Sequence, residues 1–477
     1  MCHRFFIFCL SVCTVALASP PFGIQVLDEM TGRAVPMVTL ETVNGLRFVS
    51  DSSGLIAFDE PGLMKRRVFF EITSPGYTFP RDNFGFAGLA MDTIPGATTT
   101  IKVVRTTVAE RLYRLTGQGI YRDTVMLGKD APVSRPNLNG GVLAQWDVQV
   151  VSFQNQLLWA WGETKRPTHP LGNSRGSVAL SELPGGDGDV SSAGVMLRYF
   201  TNDRDEPTPA LSGREPGSLR FDGMVVVKDM MGGEHVLAHY SRSDSGLKVL
   251  EQGVVEWNPQ RHEFERMIVL GEEYAWQFPQ GQAARVTNET GDYFYFANPF
   301  CHVRVPARYE AMLTPGSYEA LSHDDEKGVI CWQHVKPPMT REDENKWVSK
   351  KWIKRSETRA QLDIAANGKP VVPASGSIRW NPYRNNFIFI CADAMGDVWY
   401  AESKSVDGPW CDAVLIATHG GKPFTGVVHH DLFDQQGGRV ILFQGVVNDP
   451  GISRYDGNAL MYQLDLADER LDDAHVK

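Results

Sequence analysis

Three acidic residues stand where chains of this kind gather chemistry. Asp147 and Asp222 each open an apolar run, and Glu163 closes one. Two carboxyl groups at one site can divide the work of breaking a glycosidic bond: one stays protonated and releases the leaving oxygen, while the other stays ionised and activates water. On this reading Glu163 is the general acid and Asp147 the general base. Asp222 is a third catalytic carboxylate that modulates them. Other polar groups end or begin similar runs: Gln282, Ser377 and His429 or His430 at the starts, His239, Asn298, Asp393 and Gln444 at the ends. Trp146 could stack on a sugar face. Arg285 and Arg304 could hold hydroxyls or a uronate. The expected ligand contacts are therefore Trp146, His239, Arg285, Asn298, Asp393, His430 and Gln444. The chain has no G-x-S-x-G elbow and no H-E-x-x-H helix motif, so neither signature competes with the carboxylates. His429-His430-Asp431 could ligate a metal, but adjacent residues of a strand point to opposite faces, so at most one histidine could enter a shared site. No cofactor is expected, although a central shaft lined by carboxylates leaves room for a structural Ca²⁺.

These residues converge only if the chain repeats one supersecondary unit. Five hairpins are legible as pairs of apolar runs: 147–153 with 157–161, 222–227 with 235–240, 283–287 with 293–297, 377–380 with 387–391, and 430–433 with 439–444. Further strands trail them, among them 397–403 and 413–417, and the run 459–464 is placed to close a ring. Such a series predicts a five-bladed β-propeller over residues 106–477. In it the first strand of each blade lines the shaft, and distant polar ends meet at one mouth, where a ligand site is expected by default. Residues 106–140 form a lead-in, with a helical turn at 110–114 and a strand at 120–127. Residues 340–375 are an insertion whose charged part, 340–359, reads as a solvated surface helix. Trp159, Trp161, Trp380 and Trp399 read as packing between blades.

Residues 19–105 alternate apolar and polar positions between turns such as Asp51-Ser-Ser-Gly54, which predicts a small β-sandwich. Ahead of them, Arg4, the apolar run 5–16 and Ala16-Leu17-Ala18 form a secretory signal, residues 1–18, which predicts a secreted or periplasmic protein. No later run is long and apolar enough to span a membrane as a helix. The net charge of −10 over 477 residues argues against nucleic acid as a partner. Four cysteines lie beyond the signal: Cys301, Cys331, Cys391 and Cys411. They permit three pairings, and Cys391, inside Phe387-Ile-Phe-Ile-Cys391, reads as a buried free thiol.

The order of strands and turns in 19–105 resembles the carboxypeptidase-regulatory-like, transthyretin-like fold. The segments TGQGIYRD (116–123), WGETKRPTHPLG (161–172), ANPFCHVRVPA (297–307), SIRWNPYRNNF (377–387) and WYAESKSVDGPW (399–410) resemble a family of secreted bacterial proteins. That family joins such a sandwich to a five-bladed propeller similar to glycoside hydrolase family 43 and to the DUF4185 arabinan-degrading enzymes. The resemblance implies an all-β protein acting on a polysaccharide or oligosaccharide. A non-catalytic carbohydrate- or protein-binding propeller is the alternative. Two departures bear on chemistry. The family's Gln-Asp-Ser-Val is Gln145-Trp146-Asp147-Val148 here, and its Gly-Asp-Thr is Gly162-Glu163-Thr164. A blade-five acid of the family is Gln444. A two-residue turn at Gln154-Asn155 would pair Trp146 with Glu163 and send Asp147 to the other face, whereas a three-residue turn would pair Asp147 with Glu163.

Overall fold

The computed structural model describes residues 19–168, 176–185, 194–213, 216–324, 329–449, 451 and 455–476. The signal reading of residues 1–18 and the end of the 161–172 segment lie outside them. The described chain is mostly β.

In the front part, alternation decides which side chains face inward. Along Arg67–Thr73, Val68, Phe70 and Ile72 are buried while Arg67, Glu71 and Thr73 are exposed. Two four-stranded sheets result. One orders Leu55–Phe58, Phe22–Asp28, Thr98–Arg105 and Tyr77–Thr78, and the other Arg47–Val49, Thr39–Thr42, Arg67–Thr73 and Gly88–Asp92. Ile24, Val26 and Ile101 of the first share one apolar core with Leu40, Phe70 and Ile72 of the second.

Besides the two-stranded pairing of Ala144–Gln145 with Thr164–Lys165, five larger antiparallel sheets follow. Their first strands are Gln149–Phe153, Ser218–Lys228, Gln282–Asn288, Pro373–Asn381 and Phe424–His429. Each first strand lies beside the next. In the first four the strands follow chain order, and each of the five has four strands except the third, which has five. Apolar clusters join each sheet to its successor, and Trp159 and Trp161 of the first sheet share a cluster with Leu442 and Met461 of the fifth. The fifth sheet takes its outer strand from far upstream. Glu110–Arg114 pairs with Asn458–Asp465, in the register Gln463↔Glu110 and Leu460↔Arg114.

This outer strand corrects the expected helical turn at 110–114. All five residues are buried, and extended backbone lets them hydrogen-bond a sheet edge that would otherwise stay unpaired. The expected strand at 120–127 is likewise a short helix, Arg122–Met126. Its first turn is held by acids: the Asp51 carboxylate accepts the Thr124 N–H at 2.6 Å and the Thr124 hydroxyl at 2.7 Å, and Asp123 accepts the Ala57 N–H at 3.0 Å. These bonds also fasten the front sheets to the sheets that follow, as do Arg111 on Ser74 (2.7 Å) and Thr31 on Glu110 (2.7 Å).

The first and third hairpins lie close to where the sequence pattern puts them. The second and fourth each begin four residues earlier, at Ser218 and Pro373. The fifth is displaced: its strands are Phe424–His429 and Val440–Val447, and the expected strand 430–433 is a 3₁₀ turn over Asp431–Phe433. The insertion holds a helix, Arg341–Ser349, started by a reciprocal Thr340–Asp343 cap. Most of it faces solvent, as expected, but one side is anchored. Glu344 is buried and accepts the N–H groups of Arg359 and Ala360, and Trp347 packs with Leu321 and Met339. Cys301 and Cys391 are buried free thiols. No helix of the described residues is long and apolar enough to cross a membrane.

Candidate functional site

The starts of the five first strands open on one cavity of about 530 Å³. The first sheet contributes Trp146, Asp147, Gln149 and Glu163, and the second Arg220 and Asp222. The third brings Gln282 and Asn298, the fourth Ser375 and Gly376, and the fifth Thr425, Gly426 and Asn448. Asp456 completes the lining. Of the expected site residues, Trp146, Asp147, Glu163, Asp222 and Asn298 therefore meet.

The first sheet owes its register to a two-residue turn. Gln154 and Asn155 both have left-handed backbone (φ +50° and +59°), which matches the twist of a tight hairpin. Phe153 then faces Gln156, and the same register carries through Gln145↔Thr164, with Trp146 N–H on Glu163 C=O at 3.1 Å. The sequence argument would send Asp147 to the far face. It does not go there, because Asp147 itself is left-handed (φ +56°) and pairing resumes only at Gln149. The pleat is broken for three residues, so Trp146, Asp147 and Glu163 all line the cavity. Asp enters the left-handed region more readily than most side chains.

Trp146 is fixed at its polar edge and beneath its ring. Its indole N–H donates to Asn448 Oδ1 at 2.7 Å, and Asn448 in turn donates to Thr425 Oγ1 at 3.0 Å. The ring lies on Gly457, where a Cβ would come within 2.2 Å of Trp146 Cζ2.

Arg220 and Asp222 are two apart on one strand and so share a face. Arg220 Nε lies 3.0 Å from Asp222 Oδ2, and the Gly281 N–H donates to Asp222 Oδ1 at 2.7 Å. Burial pushes the Asp222 carboxyl up to about 6. Arg220 and the Gly281 N–H act against that rise, and the Asp147 charge adds to it. A bulge follows at Gly223 (φ +55°), whose N–H donates to Gly281 C=O at 2.8 Å. Gln149 and Gln282 brace the floor: Gln149 Oε1 accepts the Met224 N–H at 3.2 Å, and Gln282 Nε2 donates to Val148 C=O at 2.8 Å.

The remaining expected contacts lie elsewhere. His430 Nε2 and Gln444 Oε1 bond each other at 2.9 Å, and both residues are buried, with Trp159 5.5 Å from the imidazole. They sit deep between the fifth and first sheets because the fifth strand starts at Phe424, which moves the mouth positions to Thr425–Val427 and Asn448. Asp393 accepts the N–H groups of Met395 and Asp397 and the Trp399 indole N–H, so it stabilises a hairpin turn. Arg285 is an exposed partner of Asp292 at 2.6 Å. Arg304 is buried against Glu319 (2.7 Å) and the Tyr293 and Trp332 rings. Trp159, Trp161 and Trp399 are buried, as expected of packing, but Trp380 is 44% exposed and meets Phe387 edge-on. Among the described residues no group of three or more His, Cys, Asp or Glu is placed to hold a metal ion.

His239 misses this cavity but lines a second one, of about 640 Å³, between the second and third sheets. Its Nε2 lies 2.7 Å from the Tyr318 hydroxyl, and burial holds it down to about 3. Asp222 and Asn298 line both cavities.

Sequence reasoning missed Gln149, Arg220, Thr425, Asn448 and Asp456. Arg220 had a signal, its spacing of two from Asp222. Asn448 and Asp456 had none, since they flank a connection whose position depends on the fifth sheet.

The first cavity combines carboxyl groups, amides, one guanidinium and one indole. It can hydrogen-bond a polyhydroxylated ligand, stack against it, and exchange protons with it. No family model and no curated protein sequence matches the chain. Among solved structures it is similar to a Bacteroides ovatus protein described as a hydrolase (11% identity, 71% of this chain and 89% of that one, TM-score 0.43). It is also similar to a GH43_1 enzyme from Xanthomonas citri complexed with xylotriose (11%, 68% and 87%, TM-score 0.35). A third is the α-L-arabinofuranosidase of Fusarium graminearum (11%, 68% and 94%, TM-score 0.35).

Proposed function

We propose that the chain is a secreted five-bladed propeller preceded by a transthyretin-like sandwich, and that it binds and hydrolyses a polysaccharide or oligosaccharide at the 530 Å³ cavity. One observation carries this reading: Trp146, Asp147, Glu163 and Asp222, drawn from two sheets, line the same cavity. In the proposed reaction Trp146 stacks on a sugar ring. Glu163 protonates the leaving glycosidic oxygen, and Asp147 takes a proton from the attacking water. Asp222, held up to about 6 by burial, changes charge beside Asp147 and so tunes the proton affinity of the site.

Reducing-sugar release from arabinans, xylans and sulfated glycans tests the reading. Glu163→Gln and Asp147→Asn should each lower release by about 10²–10⁴-fold while the fold is retained. Unchanged release in both variants overturns the assignment.

A second reading is a binding module for carbohydrate or protein. It is favoured by the side of the cavity where Asn298, Ser375, Thr425 and Asn448 supply amides and hydroxyls and Asp456 is the one carboxylate. Glycan binding by the parent with no release on any of these substrates selects it.

A further inference from the structure

The second cavity differs in kind from the first. Its walls include Trp276, Phe278 and Phe300, with Val372 at its exposed side. Two imidazoles line it as well, and both are uncharged rings at neutral pH: burial holds His239 down to about 3 and His302 down to about 4. Phe278 meets the His239 ring edge-on, with centroids 5.5 Å apart, and Phe300 stacks on His302 at 5.7 Å. A space of about 640 Å³ lined this way suits aromatic rings, which gain from apolar burial and from edge and face contacts. Ser241, Gln252, Gln280, Thr340 and Arg341 also line it and can hydrogen-bond a hydroxyl carried on such a ring.

Asp222 and Asn298 line both cavities, so the two lie side by side. We propose that the second cavity receives a phenolic group attached to the glycan, so that the substrate class is an aryl-bearing glycoside with its sugar at Trp146 and its aromatic part between Trp276 and Phe300. This rests on the glycan reading of the first cavity.

The test is isothermal titration of the full chain with 2-naphthol, an aromatic probe that carries no sugar. Saturable binding of one equivalent is expected. Val372→Trp, made at a position 63% exposed, should fill the cavity mouth and weaken binding at least tenfold. Trp276→Ala, on a half-buried turn, should weaken it likewise. Glu163→Gln and Asp147→Asn should leave it within twofold. Absence of saturable binding in the parent, or equal affinity in Val372→Trp, overturns the proposal, and intact glycan release in the same preparation would confine the failure to the second cavity. Naphthol binding that responds to Val372→Trp, with no glycan bound or cleaved, would instead overturn the sugar reading and leave the aromatic cavity standing.

Discussion

The first two sheets and the last two meet across one cavity with contrasting chemistry. The first two bring Asp147, Glu163, Arg220 and Asp222, and the last two bring Ser375, Gly376, Thr425, Gly426 and Asn448, with Asp456 as their one carboxylate. On the charged side the backbone departs from regular strand, with left-handed Asp147 and the bulge at Gly223. Such departures re-aim side chains, and they persist because surrounding contacts over-determine them. The other side is mostly neutral, and one of its members, Asn448, acts by holding Trp146. The contrast separates two jobs. Under the proposed function, proton chemistry would fall to the first and second sheets, while the fourth and fifth would provide room and orientation.

The comparison breaks most sharply at the acids. Asp147→Asn and Glu163→Gln should each lower glycan release by about 10²–10⁴-fold, with thermal melts near that of the parent. An equal loss from Thr425→Ala would erase the division between the two sides.

Next comes Asp222. Its folded value of about 6 exceeds its ordinary 3.8, so its contribution to stability is full below pH 3.8 and is lost as pH rises through 6. Each unit is worth about 1.4 kcal/mol, so the parent should lose about 3 kcal/mol relative to Asp222→Asn between pH 3.5 and 7. Urea unfolding of both proteins across that range measures the difference. Parallel pH profiles would remove the buried, titrating acid from the account.

Gly457→Ala probes the neutral side. An added Cβ has no room beneath Trp146, and the backbone there is left-handed (φ +71°). The indole should be displaced and glycan affinity should fall about tenfold, a value typical of losing one stacked aromatic. Intrinsic tryptophan fluorescence and titration with oligosaccharides report it.

The smallest effect is expected at Arg285→Ala. Its exposed pair with Asp292 lies away from both cavities, so stability should change by less than about 1 kcal/mol and glycan binding should stay within twofold. A marked loss of binding would place a sugar contact outside the cavity.

Much of the scaffold was readable because strand periodicity is local. Alternation at 67–73 and the hairpins at 147–161, 222–240 and 283–297 each depend on side chains only a few residues apart. The fifth hairpin was misplaced because His429, His430 and Phe433 look like strand residues. Gly437 and Gly438 (φ +65° and +91°), together with the 3₁₀ turn before them, set where the second strand starts. His430 and Gln444 were thus assigned to the mouth and lie in the interior.

By itself the sequence determined the β character, the three acids and the choice of turn lengths at Gln154-Asn155, since these follow from residue type and near-neighbour spacing. Tertiary structure decided the rest. The outer strand of the fifth sheet comes from residues 110–114, more than three hundred positions away, because an unpaired sheet edge takes whichever strand the fold brings to it. Asp147 faces the cavity because its backbone turns left-handed between two paired segments. No periodicity announces such a turn, since it depends on how the neighbouring first strands pack around it.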